Sequence, residues 1–278
     1  MNLTQALYQA QLVGLERLDA QLLLLHALGR QPQERAWLLA HDLDALAATQ
    51  QAAFDHAVHR RSVGDPLAYI TGYKAFYGLN LSVDPRVLVP RPDTETLVDW
   101  ALALLHGRSA TRVIDLGTGS GAIALALKHA RPDLAVSAVD YSHDALAVAQ
   151  AKAERLKLHV RFNQGSWLSD IPGRFDLLAA NPPYIVEGDP HLPALAHEPL
   201  QALTSGPDGL DDIRLIVTQA PAHMMDGAWL LLEHGYDQAQ AVRTLLTQAG
   251  LEQVQSRQDL NGIERCSGGR MPDAANAN

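Results

Sequence analysis

Three short segments carry residue types whose spacing suits ligand chemistry. Gly117, Gly119 and Gly121 alternate with Thr118 and Ser120 directly after Val113-Ile114-Asp115-Leu116. Glycine lets the backbone turn sharply and approach a ligand that any Cβ would hold away. The spacing is not the G-x-G-x-x-G of dinucleotide binders, and the lysine of a phosphate-binding P-loop is missing. Asp140 lies 23 residues after Gly117, at the end of the next strand-like run, where an acid can accept both hydroxyls of a ribose. The third segment is Asn181-Pro182-Pro183-Tyr184. Asn181 offers a side-chain carbonyl, and two prolines stiffen the chain so that the Pro182 carbonyl can be held toward a cleft. Two acceptors on a rigid frame grip both hydrogens of a planar NH₂ group, and the ring of Tyr184 can lie against its flat face.

The ligand that suits the first two segments is a nucleoside without a pyrophosphate. Asp115 adds a second carboxylate at the end of the first strand, which favours a ligand carrying an amine and a sulfonium. S-adenosylmethionine fits that description; NAD is the alternative. Other residues have plainer readings. His56 and His59 lie three apart on a helical segment with no carboxylate–histidine set beside them, so they read as a solvated face and no metal site is expected. Glu198 is either a residue that closes over a substrate or a loop charge. Arg91 and Glu95 are spaced to pair with each other and tie a linker to the following domain. Trp37 and Leu38 read as core of the N-terminal segment.

The elements that must hold these residues follow from the hydrophobic pattern. Residues 1–63 read as a helical bundle, with Leu3, Leu7 and Ala6, Ala10 at i, i+4 and Gly29 ending the run Leu22–Leu28. Residues 64–92 are punctuated by glycine and proline; Tyr69-Ile70, Phe76-Tyr77 and Leu79–Val83 read as pieces of a hairpin-like linker. Thr94 is placed as the cap of a helix reaching about Leu105. From residue 111 strands and helices alternate. Strands are expected at Arg112–Leu116, Ala135–Val139, His159–Asn163, Phe175–Ala180 and Ala228–Leu232, with further ones near Val254 and Ile263–Cys266. Helices fall between them, Ser142 capping one of them. This is α/β, a mainly parallel sheet of right-handed βαβ units over residues 93–270. In such sheets ligands bind beyond the carboxyl ends of strands at the switch point. That point is expected between the first and fourth strands, so Gly117–Gly121 and Asn181–Tyr184 should converge. Residues 271–278 read as a flexible tail.

Composition narrows the class. The 278 residues are 47% apolar, which excludes a disordered or fibrous chain. No apolar run reaches the roughly 18 residues of a membrane span, and the first ten residues lack the basic start of a secretory signal. One cysteine, Cys266, excludes an internal disulfide framework, so a reducing cytoplasm is expected. With 31 acidic against 22 basic residues the net charge is −9, opposite in sign to most nucleic-acid binders. No direct nucleic-acid binding and no membrane attachment are expected.

Asn181–Tyr184 after a strand, downstream of Asp115–Gly121, resembles the amino-group methyltransferases of the S-adenosylmethionine-dependent, Rossmann-like class I fold. That class includes enzymes acting on adenine in DNA, guanine N2 in RNA, and glutamine. Further segments narrow the likeness: Pro66–Gly72, Phe76–Gly78, Val87–Glu95, Gln164–Leu168 and Glu198-Pro199 resemble the peptide chain release factor glutamine methyltransferase family. The resemblance spans nearly the whole chain. It implies methyl transfer to the glutamine of the Gly-Gly-Gln loop of class 1 release factors, with the N-terminal helices as a docking surface. It also implies that Gly117–Gly121 and Asp140 bind the cofactor, that Trp167 lies beside its adenine, and that Asn181 sits between cofactor and substrate. Asn181 and Pro182 would be the catalytic positions, and Asn181–Tyr184 would hold the amide. The alternatives are a base methyltransferase acting on DNA or RNA, and a non-catalytic module that keeps the fold. The chain departs from the family at Ser166, where members often have Asp, and at His234-Gly235 after Glu233, where Ile-Gly is common.

Overall fold

The computed structural model describes residues 1–273. Contacts divide the chain into two compact units, Met1–Tyr73 and Lys74 onward. Five helices build the first: α1 (Leu3–Leu12), α2 (Arg17–Ala27), α3 (Arg35–Ala40), α4 (Ala48–Ser62) and α5 (Leu67–Thr71). The Asn2 side chain accepts the Gln5 N–H while Gln5 reaches back to the Asn2 N–H, a reciprocal cap on α1. Leu3, Leu23, Leu24, Phe54 and Ile70 share the buried core of this unit. Tyr69 and Ile70, expected in an extended piece, are helical instead. Pro66 sets up the first turn of α5, Gly72 closes it in the left-handed conformation at φ +81°, and Ile70 faces the helical core. The first unit therefore runs ten residues beyond the expected limit at 63, and residues 74–92 fall in the second unit rather than in a separate linker.

The expected hairpin is present as β1 (Tyr73–Phe76) and β2 (Leu79–Ser82). It leads to α6 (Thr94–Leu104), β3 (Arg112–Leu116), α7 (Ala122–Ala130), β4 (Ala135–Asp140) and α8 (His143–Leu156). The remainder comprises β5 (Arg161–Gln164), β6 (Phe175–Ala180), α9 (Asp211–His223), β7 (Met224–Glu233), α10 (Ala239–Gln248), β8 (Glu252–Gln258) and β9 (Glu264–Arg270). Sheet order is β5-β4-β3-β6-β7-β9-β8. The first five strands run parallel, and β9 lies antiparallel to both β7 and β8. Two buried clusters cover the two faces of the sheet. Val113, Leu177 and Leu231 belong to one, while Ile114, Leu178 and Leu230 belong to the other, as the two-residue period of a strand requires. Met271, assigned to the tail, is tied down: its N–H donates to Ala228 O and its carbonyl accepts the Gly227 N–H. Residues 274–278 of that expected tail lie outside the described residues.

The chain winds outward from β3 through β4 to β5, then restarts at β6 on the other side of β3. The switch point is thus between β3 and β6, the first and fourth strands of the sheet, as expected. Leu116 and Ala180 are register partners there, so Gly117 and Asn181 are the next residues on two adjacent strands.

Candidate active site

Gly117 and Gly119 adopt φ of +66° and +50°, a region that glycine enters without a Cβ penalty. A Cβ on Gly117 would stand 2.7 Å from the Trp167 ring. Gly121, at φ +81°, starts α7 and packs against Ala149; it shapes the turn rather than the cavity wall. Asp115 is fully buried and faces the loop from behind. Its Oδ2 accepts the Thr118 hydroxyl at 2.6 Å and the Ala124 N–H at 3.1 Å, and burial pushes its pKa up to about 7. This corrects its reading as a carboxylate facing the ligand. Lys152, also fully buried, donates to Ser120 O at 2.6 Å, and loss of solvent pulls its pKa down to about 7.

Asp140 ends β4. Its Oδ2 accepts the Gly119 N–H at 2.7 Å and its Oδ1 the Ser142 N–H at 2.8 Å. Burial raises its pKa against those bonds. A carboxylate has about four acceptor positions, so the two oxygens retain capacity for ribose hydroxyls. Ser142 caps α8 as expected, accepting the Ala145 N–H. Trp167 takes φ +53° and its indole N–H donates to Asp212 at 3.1 Å, which fixes the ring over Gly117. A bulky residue held at positive φ stores strain that the surroundings must offset.

The prolyl corner after β6 is held from three directions. Tyr184 and Ile185 donate N–H groups to Leu203 O. Gln238 Nε2 donates to Tyr184 O at 3.0 Å, and a Cβ on Gly209 would stand 2.2 Å from that same oxygen. Asn181 Nδ2 donates to Thr94 Oγ1 at 3.1 Å. Thr94 is the first residue of α6, with Asp93 in the cap position, so its expected capping role is replaced by this contact. The Tyr184 hydroxyl lies 3.4 Å from Glu233 Oε1, and burial together with that acid raises the phenol pKa.

These parts converge. Gly117, Thr118, Gly119, Ser120, Asp140, Trp167, Asn181 and Pro183 line one cavity of about 280 Å³. Pro182 and Tyr184 line a neighbouring cavity of about 270 Å³, and Leu88, Arg91 and Asn181 border both. The expected Arg91–Glu95 pair does not form. Arg91 instead pairs with Glu198 at 2.5 Å, while Glu95 accepts the Tyr77 N–H at 2.8 Å. Glu198, whose Oε2 also accepts the Val89 N–H, latches the loop after the prolyl corner onto residues 89–91. The sequence reading missed Thr94, Tyr141 and Arg86 as cavity-lining residues. The Val87–Glu95 run was visible as a motif, but nothing local told which side chains turn inward.

Comparison with known proteins follows the same division. A profile described as the PrmC N-terminal domain matches residues 2–72, and one described as a methyltransferase small domain matches residues 95–204. The release factor glutamine methyltransferase of Bordetella pertussis is 49% identical over 262 residues, covering 93% of this chain and 96% of that protein. The chain belongs to the release factor glutamine methyltransferase family. The Xylella fastidiosa (strain Temecula1) release factor glutamine methyltransferase is 48% identical over 96% of this chain and 98% of its own length. Among solved structures, a methyltransferase from Pyrococcus furiosus shares the fold over 72% of this chain and 92% of its own, with TM-score 0.53 at 18% identity. For this member of the release factor glutamine methyltransferase family, the His234 departure has a local explanation. The ring is fully buried, with Nδ1 bonded to Gly235 O at 2.9 Å and Nε2 to Ser267 Oγ at 2.7 Å, and burial lowers its pKa, so polar partners on both nitrogens accommodate the imidazole there.

Proposed function

We propose that this chain transfers the methyl group of S-adenosylmethionine to the side-chain amide nitrogen of the glutamine in the Gly-Gly-Gln loop of class 1 peptide chain release factors. The observation that carries this reading is the pairing of Leu116 with Ala180, which brings a glycine turn and Asn181 and Pro183 of the prolyl corner onto one cavity, with Pro182 and Tyr184 on the neighbouring one that Asn181 also borders. The names of the relatives at 48–49% identity support the choice of acceptor. Gly117–Ser120, Asp140 and Trp167 are the residues assigned to the cofactor, with Gly121 shaping the turn behind them, and Asn181–Tyr184 are those assigned to the amide, Asn181 lying between the two.

When bound, S-adenosylmethionine supplies an electrophilic methyl on a sulfonium centre. The chain's own contribution is alignment. An amide nitrogen is a poor nucleophile because its lone pair is delocalised into the carbonyl, so positioning must do most of the work; it can contribute roughly 7–11 kcal/mol. The Asn181 amide nitrogen is committed to Thr94, which leaves the Asn181 carbonyl to accept a substrate N–H. The Pro182 carbonyl accepts the other. Both bonds strengthen as positive charge grows on the substrate nitrogen, so they favour the transition state over the ground state. No general base is needed, since an N-alkylated amide cation is strongly acidic and gives its proton to water. The reading puts the enzyme in the cytoplasm, with release factors as its partners.

A transfer assay with methyl-labelled cofactor tests this. Label should appear on a class 1 release factor, and not on the same factor with its Gly-Gly-Gln glutamine replaced by alanine. Label on DNA or ribosomal RNA offered alongside, with none on the release factor, would move the assignment to base methylation.

A further inference from the structure

Asp212 is the second residue of α9 and takes no part in the chemistry above, yet both of its carboxyl oxygens are engaged. Oδ1 accepts the Trp167 indole N–H at 3.1 Å. Oδ2 accepts the Ser205 hydroxyl at 2.7 Å. The Asp212 N–H in turn donates to Ser205 Oγ at 2.8 Å, so these two residues are joined twice. Ser205 is buried, at 3% exposure, and its hydroxyl has no solvent to turn to instead.

Each bond leads to a different cavity. Trp167 lines the one assigned to the cofactor, and its ring packs so closely that a Cβ on Gly117 would stand 2.7 Å away. The chain beside it is held separately: the Leu168 N–H donates to Gln219 Oε1 at 2.9 Å, from the same face of α9 two turns after Asp212. Asp212 therefore sets the ring rather than the backbone. Ser205 leads to the prolyl corner. Its N–H donates to Ile185 O at 3.0 Å, and Tyr184 and Ile185 both donate to Leu203 O, with Ile185 and Thr204 forming a parallel bridge. Leu203 lines the second cavity together with Pro182 and Tyr184.

We propose that Asp212 is a positioning residue for both ligands: one oxygen holds the Trp167 ring on the cofactor side, and the other, by way of Ser205, holds the prolyl corner on the acceptor side. An indole N–H can only donate, so the ring keeps its place only where an acceptor is fixed for it. The need is greater because Trp167 sits at φ +53°, where a bulky residue depends on its surroundings. A carboxylate has an oxygen for each partner, and its anchorage in the first turn of α9 puts both bonds on one rigid element. The assignment of the two sides to cofactor and amide rests on the reaction proposed above; the bonds themselves do not.

Three substitutions separate the two arms. Asp212→Ala cuts both, and should raise cofactor Kd by calorimetry and the KM for the release factor each by roughly 5- to 30-fold. Trp167→Phe removes the indole N–H and should raise cofactor Kd with KM held within about twofold, while Ser205→Ala should do the reverse, a split that general loosening of the fold would not produce. Adding Asp212→Ala to Trp167→Phe should change cofactor Kd by less than about twofold, because the shared bond is already gone. Two further readouts need no turnover. The Trp167 indole proton, assigned by its absence in Trp167→Phe, should exchange slowly in the wild type and in Ser205→Ala, and fast in Asp212→Ala. The Tyr184 and Ile185 amides should exchange faster than wild type in Asp212→Ala and Ser205→Ala, and unchanged in Trp167→Phe. Additive losses of cofactor affinity in the double variant would show that Asp212 meets the cofactor directly, and unchanged Tyr184 exchange in Ser205→Ala would remove the second arm; either result overturns the two-sided role. A set of proteins that shows the expected exchange pattern and binds cofactor but never labels a release factor would overturn the acceptor assignment and leave the positioning by Asp212 standing.

Discussion

Asn181 and Asp140 carry separate burdens, and substitution should separate them. Asn181 supplies one carbonyl to the reacting nitrogen, so Asn181→Ala should lower kcat by roughly 10²- to 10³-fold, as for loss of one group that stabilises developing charge. Cofactor Kd should change far less; equal losses in both would undo the division of labour. Asp140 holds the glycine loop through Gly119 and the start of α8 through Ser142. Asp140→Asn turns one acceptor into a donor facing an N–H. Hydrogen bonds to a charged group are worth about 1.5–3 kcal/mol, so cofactor Kd should rise roughly 10- to 100-fold in a direct binding measurement, with kcat at saturating cofactor nearly retained. These two residues, with Trp167 and Pro183, were legible in the chain as motif positions. Asp115 was not: an acid at a strand end reads the same whether it faces a ligand or, as here, the buried back of the loop.

Loops and helix starts decide how the site is framed. Gly117→Ala meets both a positive φ and a ring atom 2.7 Å from the new Cβ. Gly250→Ala meets only the positive φ of +82°, with nothing within 4 Å. The second change should cost about 1 kcal/mol in denaturant unfolding. The first should cost more and weaken cofactor binding as well, because Trp167 must move. The loop after the prolyl corner depends on Glu198, whose side chain is 2% exposed against 35% for Arg91. Glu198→Gln keeps the Val89 contact and loses the ion pair. Since Arg91 is partly solvated, the expected cost is about 1–2 kcal/mol, read as faster amide exchange over residues 187–203 and a higher KM for the release factor. Unchanged exchange in that loop would show that the ion pair does not restrain it. Prediction from sequence succeeded for α8, whose cap is a local bond, and failed for α5. There Tyr69 and Ile70 have strand-like side chains, but Pro66, Gly72 and the helical core around Ile70 outweigh intrinsic preference.

The buried lysine of the second unit links its stability to pH. Between about pH 7 and 10.5 the unfolded chain binds a proton at Lys152 that the folded chain does not. Unfolding free energy from this residue therefore rises with pH across that window, by up to about 1.36 kcal/mol per unit. Below the window both states are charged and the burial penalty is complete; above it the penalty is gone. Lys152→Met should flatten that part of the stability–pH curve measured by denaturant titration, and a variant whose slope matches the wild type would refute the assignment. The order of strands and helices, the switch between β3 and β6, the glycine turn and the prolyl corner could all be read from the chain, because each rests on periodicity or on the narrow conformational range of glycine and proline within a few residues. The choice of partners could not. Arg91 meets Glu198 across 107 positions and Asn181 meets Thr94 across 87, where any of several charged or polar neighbours would have served. Which of them is near enough, and buried enough for the bond to count, is set only once the sheet has brought its strand ends together.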